Sequence, residues 1–429
     1  MAKKKFHLAW FGAAGPGDWQ VPSSTIYDWR GPEIYQDVAR LCERAKFDMV
    51  LFADVLAVPS LFRQSLDFYV ETGFMVNHDP VPTIAMMAAA TSKIGLATTM
   101  SSTFYPPFLL ARLAATLDHL SGGRFGWNVV TSAHKEAAQN FGYDELPDHD
   151  ERYEMADEYL ELCRQLWDSW APDAVVMDHE TGRFGDPAKV KAINFKGKYY
   201  SSKGPLNVVS SPQRHPVIIM AGTSPRGQRF AVQNAEMVIS HKNSIEDMRK
   251  YSTQLRQQLK VAGRDPNSVK IFFSIKPVLG DTEQQARDNW ERHLEEADEQ
   301  MGLADLSTTL GYDMSTFPLD EPLPDDLPVK AIVGKVLQYK GRNMTLRQIA
   351  KLEGAKETFA IHGTPTQVAD ILEQASVEGG GDGFHFRTNI QDYNYLLEVT
   401  TKLVPELQRR GLVRTEYSGK TLRDHLFEF

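Results

Sequence analysis

Short apolar segments alternate with helix-forming stretches along almost the whole chain. Eight of these segments are apolar without clean alternation, which is typical of strands covered on both faces. They are Phe6–Phe11, Phe47–Ala53, Ile94–Met100, Phe125–Thr131, Val217–Ala221, Met237–Ser240, Lys270–Val278 and Phe384–Phe386. Parallel strands need crossover connections, and a closed ring leaves no unpaired edge. The alternation therefore predicts an α/β fold, specifically a (β/α)8 TIM barrel.

The stretches between the strands carry helix signals. Ile34, Val38 and Leu41 fall on one face of a helix, as expected for a helix packed on a sheet. Thr364 precedes Pro365 with a Gln three positions after the Thr, the pattern of an N-cap followed by Pro at the first helical position. These signals place crossover helices where the barrel needs them.

The length of 429 residues exceeds that of a minimal barrel, yet no Pro-, Ser- or Gly-rich linker divides the chain. We therefore expect a single barrel domain over residues 1–429. The excess length is assigned to insertions near residues 15–31, 55–80, 171–214 and 302–357. Insertions of this kind usually cover the pocket of a barrel.

The net charge, the apolar segments and the cysteine content limit the kinds of partner that the protein is expected to bind. The formal net charge is −9, and Lys3–Lys5 is the one dense basic run, so the chain lacks an electrostatic footprint for nucleic acid. The long uncharged stretch 94–111 contains two prolines and many hydroxyl side chains, which argues against a membrane span. Cys42 and Cys163 have no metal-ligand spacing. We expect a cytoplasmic protein that binds a small molecule.

Polar side chains stand at the ends of several predicted strands. Asp54 follows the second strand, Thr99 closes the third, and Asn128 and Thr131 close the fourth. Because ligands bind at the carboxyl ends of barrel strands, these residues are candidate binding groups. His134, just past the fourth strand, is either a proton donor in the pocket or an exposed loop histidine.

The run from Val217 to Ala231 leads from a strand through a small-residue turn into a helix. Ser224 is a candidate N-cap, Pro225 takes the first helical position, and Gly222 allows close backbone approach. With Arg226 nearby, the helix N-terminus is suited to a phosphate. An ordinary capped barrel helix is the alternative.

The segment Asp148–Tyr153 precedes an amphipathic helix and is rich in polar groups. It is interpreted either as solvation of a helix start or as part of the pocket. A metal site built on His149, Asp148 and Asp150 is a third possibility and would make the chain a metal-dependent hydrolase. His7, His119 and His385 are interpreted as structural histidines.

Six blocks together resemble one known family. They are Tyr35–Ala57, Thr103–Ser132, Asn140–Gly142, His149–Tyr153, Ala221–Ala231 and Arg414–Leu426. The runs LDHLSGGRFGWNVVTS and AGTSPRGQRFA are the most specific. The chain resembles the bacterial luciferase-like flavin monooxygenases, in the branch that contains nitrilotriacetate monooxygenase component A, pristinamycin synthase and dibenzothiophene sulfone monooxygenase.

The resemblance implies a two-component monooxygenase. Such a TIM barrel receives reduced FMN (FMNH2) from a separate NAD(P)H-dependent flavin reductase and activates O2 as a flavin peroxide. The expected substrate is a small organic compound, sulfur-containing, aromatic or halogenated, with an aminopolycarboxylate as the alternative. A homodimer or homotetramer is expected from the family, and no metal is expected. A non-catalytic flavin-binding protein is a further alternative.

The resemblance also assigns residues by position. The flavin ring is expected near Asp54, Thr99, Asn128 and Thr131, and its phosphate or ribityl end near His149, Tyr153, Thr223, Ser224 and Arg226. His134 and Asn128 are the candidate catalytic residues. Phe11, Phe104 and Tyr105 are candidate walls of the substrate pocket, although barrel packing accounts for such aromatic residues equally well.

Overall fold

Eight parallel strands form a closed barrel, which confirms the predicted (β/α)8 architecture. The computed structural model describes residues 3–17, 19–20, 28–222, 224–324, 339, 343–355, 359–387 and 393–429. The barrel strands are β1 His7–Ala13, β2 Met49–Ala53, β3 Gly95–Ser101, β4 Phe125–Val130, β5 Val217–Met220, β6 Met237–Ser240, β7 Lys270–Ile275 and β8 Gly383–Arg387. Each strand pairs with its sequence neighbours, and β1 pairs with both β2 and β8.

Helices connect the strands and add to the insertions. In the described residues they are α1 Glu33–Arg44, α2 Asp67–Thr72, α3 Pro80–Ala89, α4 Pro107–Leu120, α5 Lys135–Asn140, α6 His149–Trp167, α7 Pro225–Asn234, α8 Ile245–Val261, α9 Glu283–Glu295, α10 Glu299–Leu310, α11 Leu346–Gly354, α12 Pro365–Gly379, α13 Tyr393–Glu398, α14 Val404–Arg409 and α15 Leu422–Leu426. Thr364 forms the complete capping box expected before α12. None of these helices is long and apolar enough to cross a membrane.

The paired residues place the inward-facing side chains in layers, as in other TIM barrels. An apolar layer contains Ala9, Ala97, Ile219 and Phe272, all buried. The next layer toward the mouth contains Leu51, Asn128, Ile239 and His385. Above it lie Phe11, Thr99 and Ser274. The barrel interior therefore changes from apolar to partly polar toward the carboxyl ends of its strands.

The short helix α15 closes the amino end of the barrel. Leu422 and Leu426 are buried among inward-facing side chains of the barrel. Gly95 and Gly126 leave the room that Leu422 occupies, because a Cβ on Gly126 would lie 3.1 Å from its Cδ2 and one on Gly95 would collide with its Cδ1. With this end filled, ligands reach the interior from the opposite end.

A buried ion cluster ties the C-terminal segment to the strands. Arg414 Nη2 donates to Asp48 Oδ1 at 2.6 Å, and His7 Nδ1 lies 2.9 Å from the same oxygen. Burial raises the pKa of Asp48, but the charges of His7 and Arg414 outweigh it and lower the pKa below its usual value. The carboxylate is thus held ionised inside the protein.

The insertions form structure of their own around the barrel. Residues 171–214 contain two hairpins, Val175–Asp178 with Arg183–Gly185 and Phe195–Lys196 with Ser201–Ser202. A separate apolar cluster joins Phe62 and Tyr69 to α10 and α11, so the second and fourth insertions pack on each other. The seventh predicted strand is shorter than expected, since Val278–Leu279 pairs instead with His362–Gly363.

Candidate active site

Asn128 and Thr99 meet inside the barrel, below its mouth. Asn128 Nδ2 donates to Thr99 Oγ1 at 2.8 Å, and both residues are buried. Asn128 Oδ1 has no hydrogen-bond partner among the described residues. A buried carbonyl oxygen without a partner is costly, so this atom is available to a bound ligand or water. The structure therefore brings together two of the ring contacts expected from the sequence.

His385 on β8 faces the same interior. Its Nδ1 lies 3.3 Å from Ser274 Oγ, and its ring centroid lies 4.8 Å from that of Phe11. Burial lowers the pKa of His385 to about 3, and the Arg387 cation acts in the same direction, so the imidazole is neutral. Its Nε2 has no partner among the described residues. The sequence pattern indicated only a structural histidine and gave no sign of this unpaired nitrogen.

We call Thr99, Asn128, Ser274 and His385 the polar floor, because their side chains line the barrel beneath its mouth. Phe11 lies beside it and is partly buried. Its expected role as a wall of the substrate pocket stays a prediction.

The N-terminus of α7 gathers the residues expected at a phosphate. Ser224 caps the helix by accepting a hydrogen bond from the Gly227 amide at 3.0 Å, and His149 Nε2 lies 3.3 Å from the same hydroxyl. The Tyr153 hydroxyl sits against Gly222 and Gly227, where a Cβ on either glycine would approach it to within 2.9 Å and 2.7 Å. The glycines therefore form a cradle that a larger side chain would fill.

Tyr153 connects this helix end to β4. Burial raises the pKa of Tyr153, and hydrogen bonds with Ser224 and Thr131 oppose the increase. Thr131, which follows β4, thus lies with the residues at the N-terminus of α7 rather than with the Thr99 and Asn128 pair. Thr223 lies outside the described residues.

The guanidinium group of Arg226 forms an ion pair with another side chain of the protein. Its Nη2 donates to Asp157 Oδ2 at 2.5 Å, and its guanidinium lies 5.4 Å from the centre of the Tyr153 ring. The cation therefore stands beside the helix end with part of its charge already balanced by Asp157.

Asp54 lies immediately after β2 and is partly buried. Burial raises its pKa to about 6, the Asp79 charge adds to the increase, and a hydrogen bond from Asn77 at 3.2 Å opposes it. Burial also raises the pKa of Tyr105, and the charges of Asp79 and Asp54 act in the same direction. Tyr105 and Asp54 therefore belong to one electrostatic group on the β2–β3 side of the mouth.

A cavity of about 520 Å³ lies next to His149, between the loop after β4 and α10. Its lining includes Leu61, His134, His149, Arg152 and Thr308. Burial lowers the pKa of His134, and the Glu136 charge opposes the decrease. His134 is thus a cavity residue rather than an exposed loop histidine.

Phe104 lies elsewhere than the barrel interior. Its ring stacks on that of Phe141 with centroids 4.6 Å apart and packs with Ala137 and Ala138 of α5. The side chain supports the loops after β3 and β4. Its expected role in the substrate pocket stays a prediction.

The fold and the polar groups at the carboxyl ends of its strands define a TIM-barrel enzyme. Residues 14–383 match the luciferase-like monooxygenase family, and the chain belongs to that family. It is accordingly a flavin-dependent monooxygenase, as the sequence resemblance predicts. The metal-dependent hydrolase considered from Asp148 to Asp150 is not favoured, and the described residues contain no cluster of His, Cys, Asp and Glu suited to a metal.

Similar proteins cover nearly the whole chain. Dibenzothiophene-sulfone monooxygenase of Rhodococcus erythropolis strain XP is 39% identical over 440 residues, covering 99% of this chain and 97% of that protein. Nitrilotriacetate monooxygenase component A of Aminobacter aminovorans is 35% identical over 421 residues, covering 96% and 93%. The crystal structure of a riboflavin lyase with modified FMN and riboflavin matches with a TM-score of 0.93 at 29% identity, covering 99% and 96%.

Proposed function

We propose that this protein is the oxygenase of a two-component system that binds reduced FMN supplied by a separate NAD(P)H-dependent flavin reductase. The observation that carries the proposal is the meeting of Ser224, His149 and Tyr153 at the N-terminus of α7. A helix N-terminus with convergent hydroxyl and imidazole groups favours a phosphate. The riboflavin lyase with modified FMN, whose fold this chain shares, supports the same cofactor.

The site residues divide into two groups in this proposal. Ser224, Tyr153, His149 and Arg226 hold the phosphate, with Asp157 limiting the charge that Arg226 contributes. Thr99, Asn128 and Asp54 contact the ring system from the other side of the mouth. The flavin supplies the electrons that activate O2, and the protein supplies orientation and a cavity from which water is excluded.

His134, which lines the cavity, is proposed to take part in proton transfer during the reaction. Its pKa is lowered by burial, so the imidazole is neutral at pH 7 and able to accept or donate one proton. The cavity of about 520 Å³ fits a small organic molecule. We propose that it takes the substrate and that His134 exchanges a proton there.

The substrate is proposed to be a small organic sulfur compound. The similarity to a dibenzothiophene-sulfone monooxygenase supports an aromatic or sulfur-containing substrate. The similarity to nitrilotriacetate monooxygenase component A keeps an aminopolycarboxylate as the second candidate. Supplying either substrate with O2 labelled with oxygen-18 and measuring label in the product by mass spectrometry decides between them.

The phosphate site is tested by comparing FMN with riboflavin, which lacks the phosphate. We expect reduced FMN to bind at least tenfold more tightly than reduced riboflavin, equivalent to about 1.4 kcal/mol. Ser224→Ala is expected to reduce this ratio, because it removes a hydroxyl at the helix end. Ser244→Ala is the matched control, since Ser244 caps α8 in the same manner by accepting from the Asp247 amide.

The outcomes of this titration are distinct. Equal binding of the two flavins by the unaltered protein contradicts the phosphate site. Equal effects of Ser224→Ala and Ser244→Ala on the ratio show that Ser224 acts through helix stability alone. Binding of neither flavin contradicts the proposed function as a whole.

A further inference from the structure

Two unpaired polar atoms face the same space inside the barrel. Asn128 on β4 and His385 on β8 belong to one layer of inward-facing side chains, on strands at opposite sides of the ring. Asn128 is 6% exposed and His385 is 2% exposed. Neither Asn128 Oδ1 nor His385 Nε2 has a hydrogen-bond partner in the described part of the chain.

The remaining members of this layer make the two atoms costly to leave unpaired. Leu51 and Ile239 complete the layer and are both apolar and buried. A buried polar atom without a partner is costly, because it has lost its hydrogen bonds to water without gaining others. Because the two atoms do not bond to each other, a single water between them is the arrangement that satisfies both.

We propose that His385 is a positioning residue for the flavin ring, whose Nε2 is linked to the carboxamide of Asn128 across the barrel through one bridging water. This inference rests on the proposed function, because it concerns the surface on which the ring lies. It assigns His385 a role beyond barrel packing.

The hydrogen-bond directions follow from the chemistry of each group. A neutral imidazole donates from one nitrogen and accepts at the other. With Nε2 donating to a water that in turn donates to Asn128 Oδ1, the Nδ1 of His385 accepts from the Ser274 hydroxyl, whose oxygen is 3.3 Å away. Asn128 then keeps its amide directed at Thr99 Oγ1, 2.8 Å away.

The orientation of the Asn128 carboxamide affects Thr99, which lies one layer closer to the mouth of the barrel than Asn128. Because the Thr99 oxygen accepts from Asn128, its own hydroxyl hydrogen is left to donate, and we expect it to donate toward the flavin. Without the imidazole, the carboxamide of Asn128 loses its fixed orientation, since either end can then face Thr99. His385 therefore determines whether the polar floor offers the ring a donor or an acceptor.

The test compares three variants that replace a buried histidine. His385→Leu removes both hydrogen bonds, and His385→Asn keeps a side chain able to bond to Asn128. His425→Leu is the matched control, because His425 is fully buried at the opposite end of the barrel and neither of its ring nitrogens has a side-chain partner in the described residues. Thermal unfolding of each variant measures the general cost of losing a buried imidazole.

Two flavin measurements report on positioning. The first is the absorption spectrum of bound oxidised FMN, and the second is the share of reduced flavin that ends as hydrogen peroxide instead of oxygenated product. We expect His385→Leu to shift the spectrum and to raise the ratio of peroxide to product about fivefold, the equivalent of one hydrogen bond of about 1 kcal/mol. His385→Asn should restore most of the unaltered behaviour, and His425→Leu should change neither measurement.

A nitrogen-15 NMR spectrum of the flavin-free protein gives an independent readout. We expect His385 to carry its proton on Nε2 at pH 7, and a proton on Nδ1 would overturn the proposal. A His385→Leu protein with the unaltered spectrum and peroxide ratio would overturn it as well. Failure of the unaltered protein to bind FMN counts against the proposed function, and the NMR result still decides the hydrogen-bond arrangement.

Discussion

Comparing the unaltered protein with Asp54→Asn measures how much the buried Asp54 carboxyl group makes the stability depend on pH. The pKa of Asp54 is raised from 3.8 to about 6, by burial first and then by the Asp79 charge. The folded protein therefore holds a proton between about pH 4 and pH 6 that the unfolded chain has already lost. Stability falls as the pH rises through this interval, because ionising the buried carboxylate costs free energy in the folded state.

The size of the effect follows from the shift. Each pKa unit corresponds to about 1.4 kcal/mol, so a shift of about two units gives up to about 3 kcal/mol. Solvent reaching the partly buried side chain reduces this figure. The asparagine side chain carries no charge, so Asp54→Asn should gain free energy of unfolding relative to the unaltered protein as the pH rises from 4 to 7.

Urea unfolding at pH 4.5 and pH 7.5 measures the difference. Asp144→Asn serves as the control, because Asp144 is exposed and its substitution changes the same charge without burial. A gain in Asp54→Asn that is the same at both pH values would refute the reasoning. If Asp54→Asn is destabilised relative to the unaltered protein, and more so at pH 7.5 than at pH 4.5, the reasoning is refuted more directly. That result would mean that the fold stabilises the ionised carboxylate of Asp54.

Three further substitutions test the closed end of the barrel and the buried ion cluster. Leu422→Ala should lower the free energy of unfolding, measured in urea, by about 2–5 kcal/mol through the cavity it leaves. Gly95→Ala should cost less in the Leu422→Ala protein than in the unaltered protein, because the added methyl group then no longer meets the Leu422 side chain. Purely additive losses for the double variant would contradict this packing. Arg414→Met should cost about 3–5 kcal/mol because it leaves Asp48 buried without its strong partner; a loss below about 1 kcal/mol in the same measurement would show that His7 compensates for the missing cation.

Much of the barrel is predictable because its strands are short, apolar and covered on both faces. All eight predicted strands form the ring, with bounds that differ by a few residues. Helix starts are predictable for a local reason: Ser224, Ser244 and Thr364 each accept a hydrogen bond from an amide three residues later. These interactions depend on neighbours in sequence, so a single sequence contains the signal.

The site is predictable where it depends on strand ends. Thr99 and Asn128 are paired residues of β3 and β4, each two positions before the last residue of its strand, and they lie together as expected for neighbouring parallel strands. His385 was missed because the pattern Phe384–Phe386 is aromatic on both sides and does not tell which face is inward. That face is set by the register around the whole ring, which no local pattern contains.

Long-range pairings account for the other differences. Arg226 pairs with Asp157 on another helix, and no motif marks that pair in the sequence. Phe104 turns toward α5 because Phe141 and two alanines offer it an apolar surface there. In both cases the direction of a side chain depends on loops that connect distant elements.

The helix that fills the base of the barrel also orders events during synthesis. The ribosome completes β8 at Arg387 before it makes Leu422 and Leu426. A nascent chain with all eight strands exposed therefore has an open base, with Gly95 and Gly126 facing an unfilled hole. The side chains that fill the base of the ring thus come from a helix that follows all eight strands in the sequence.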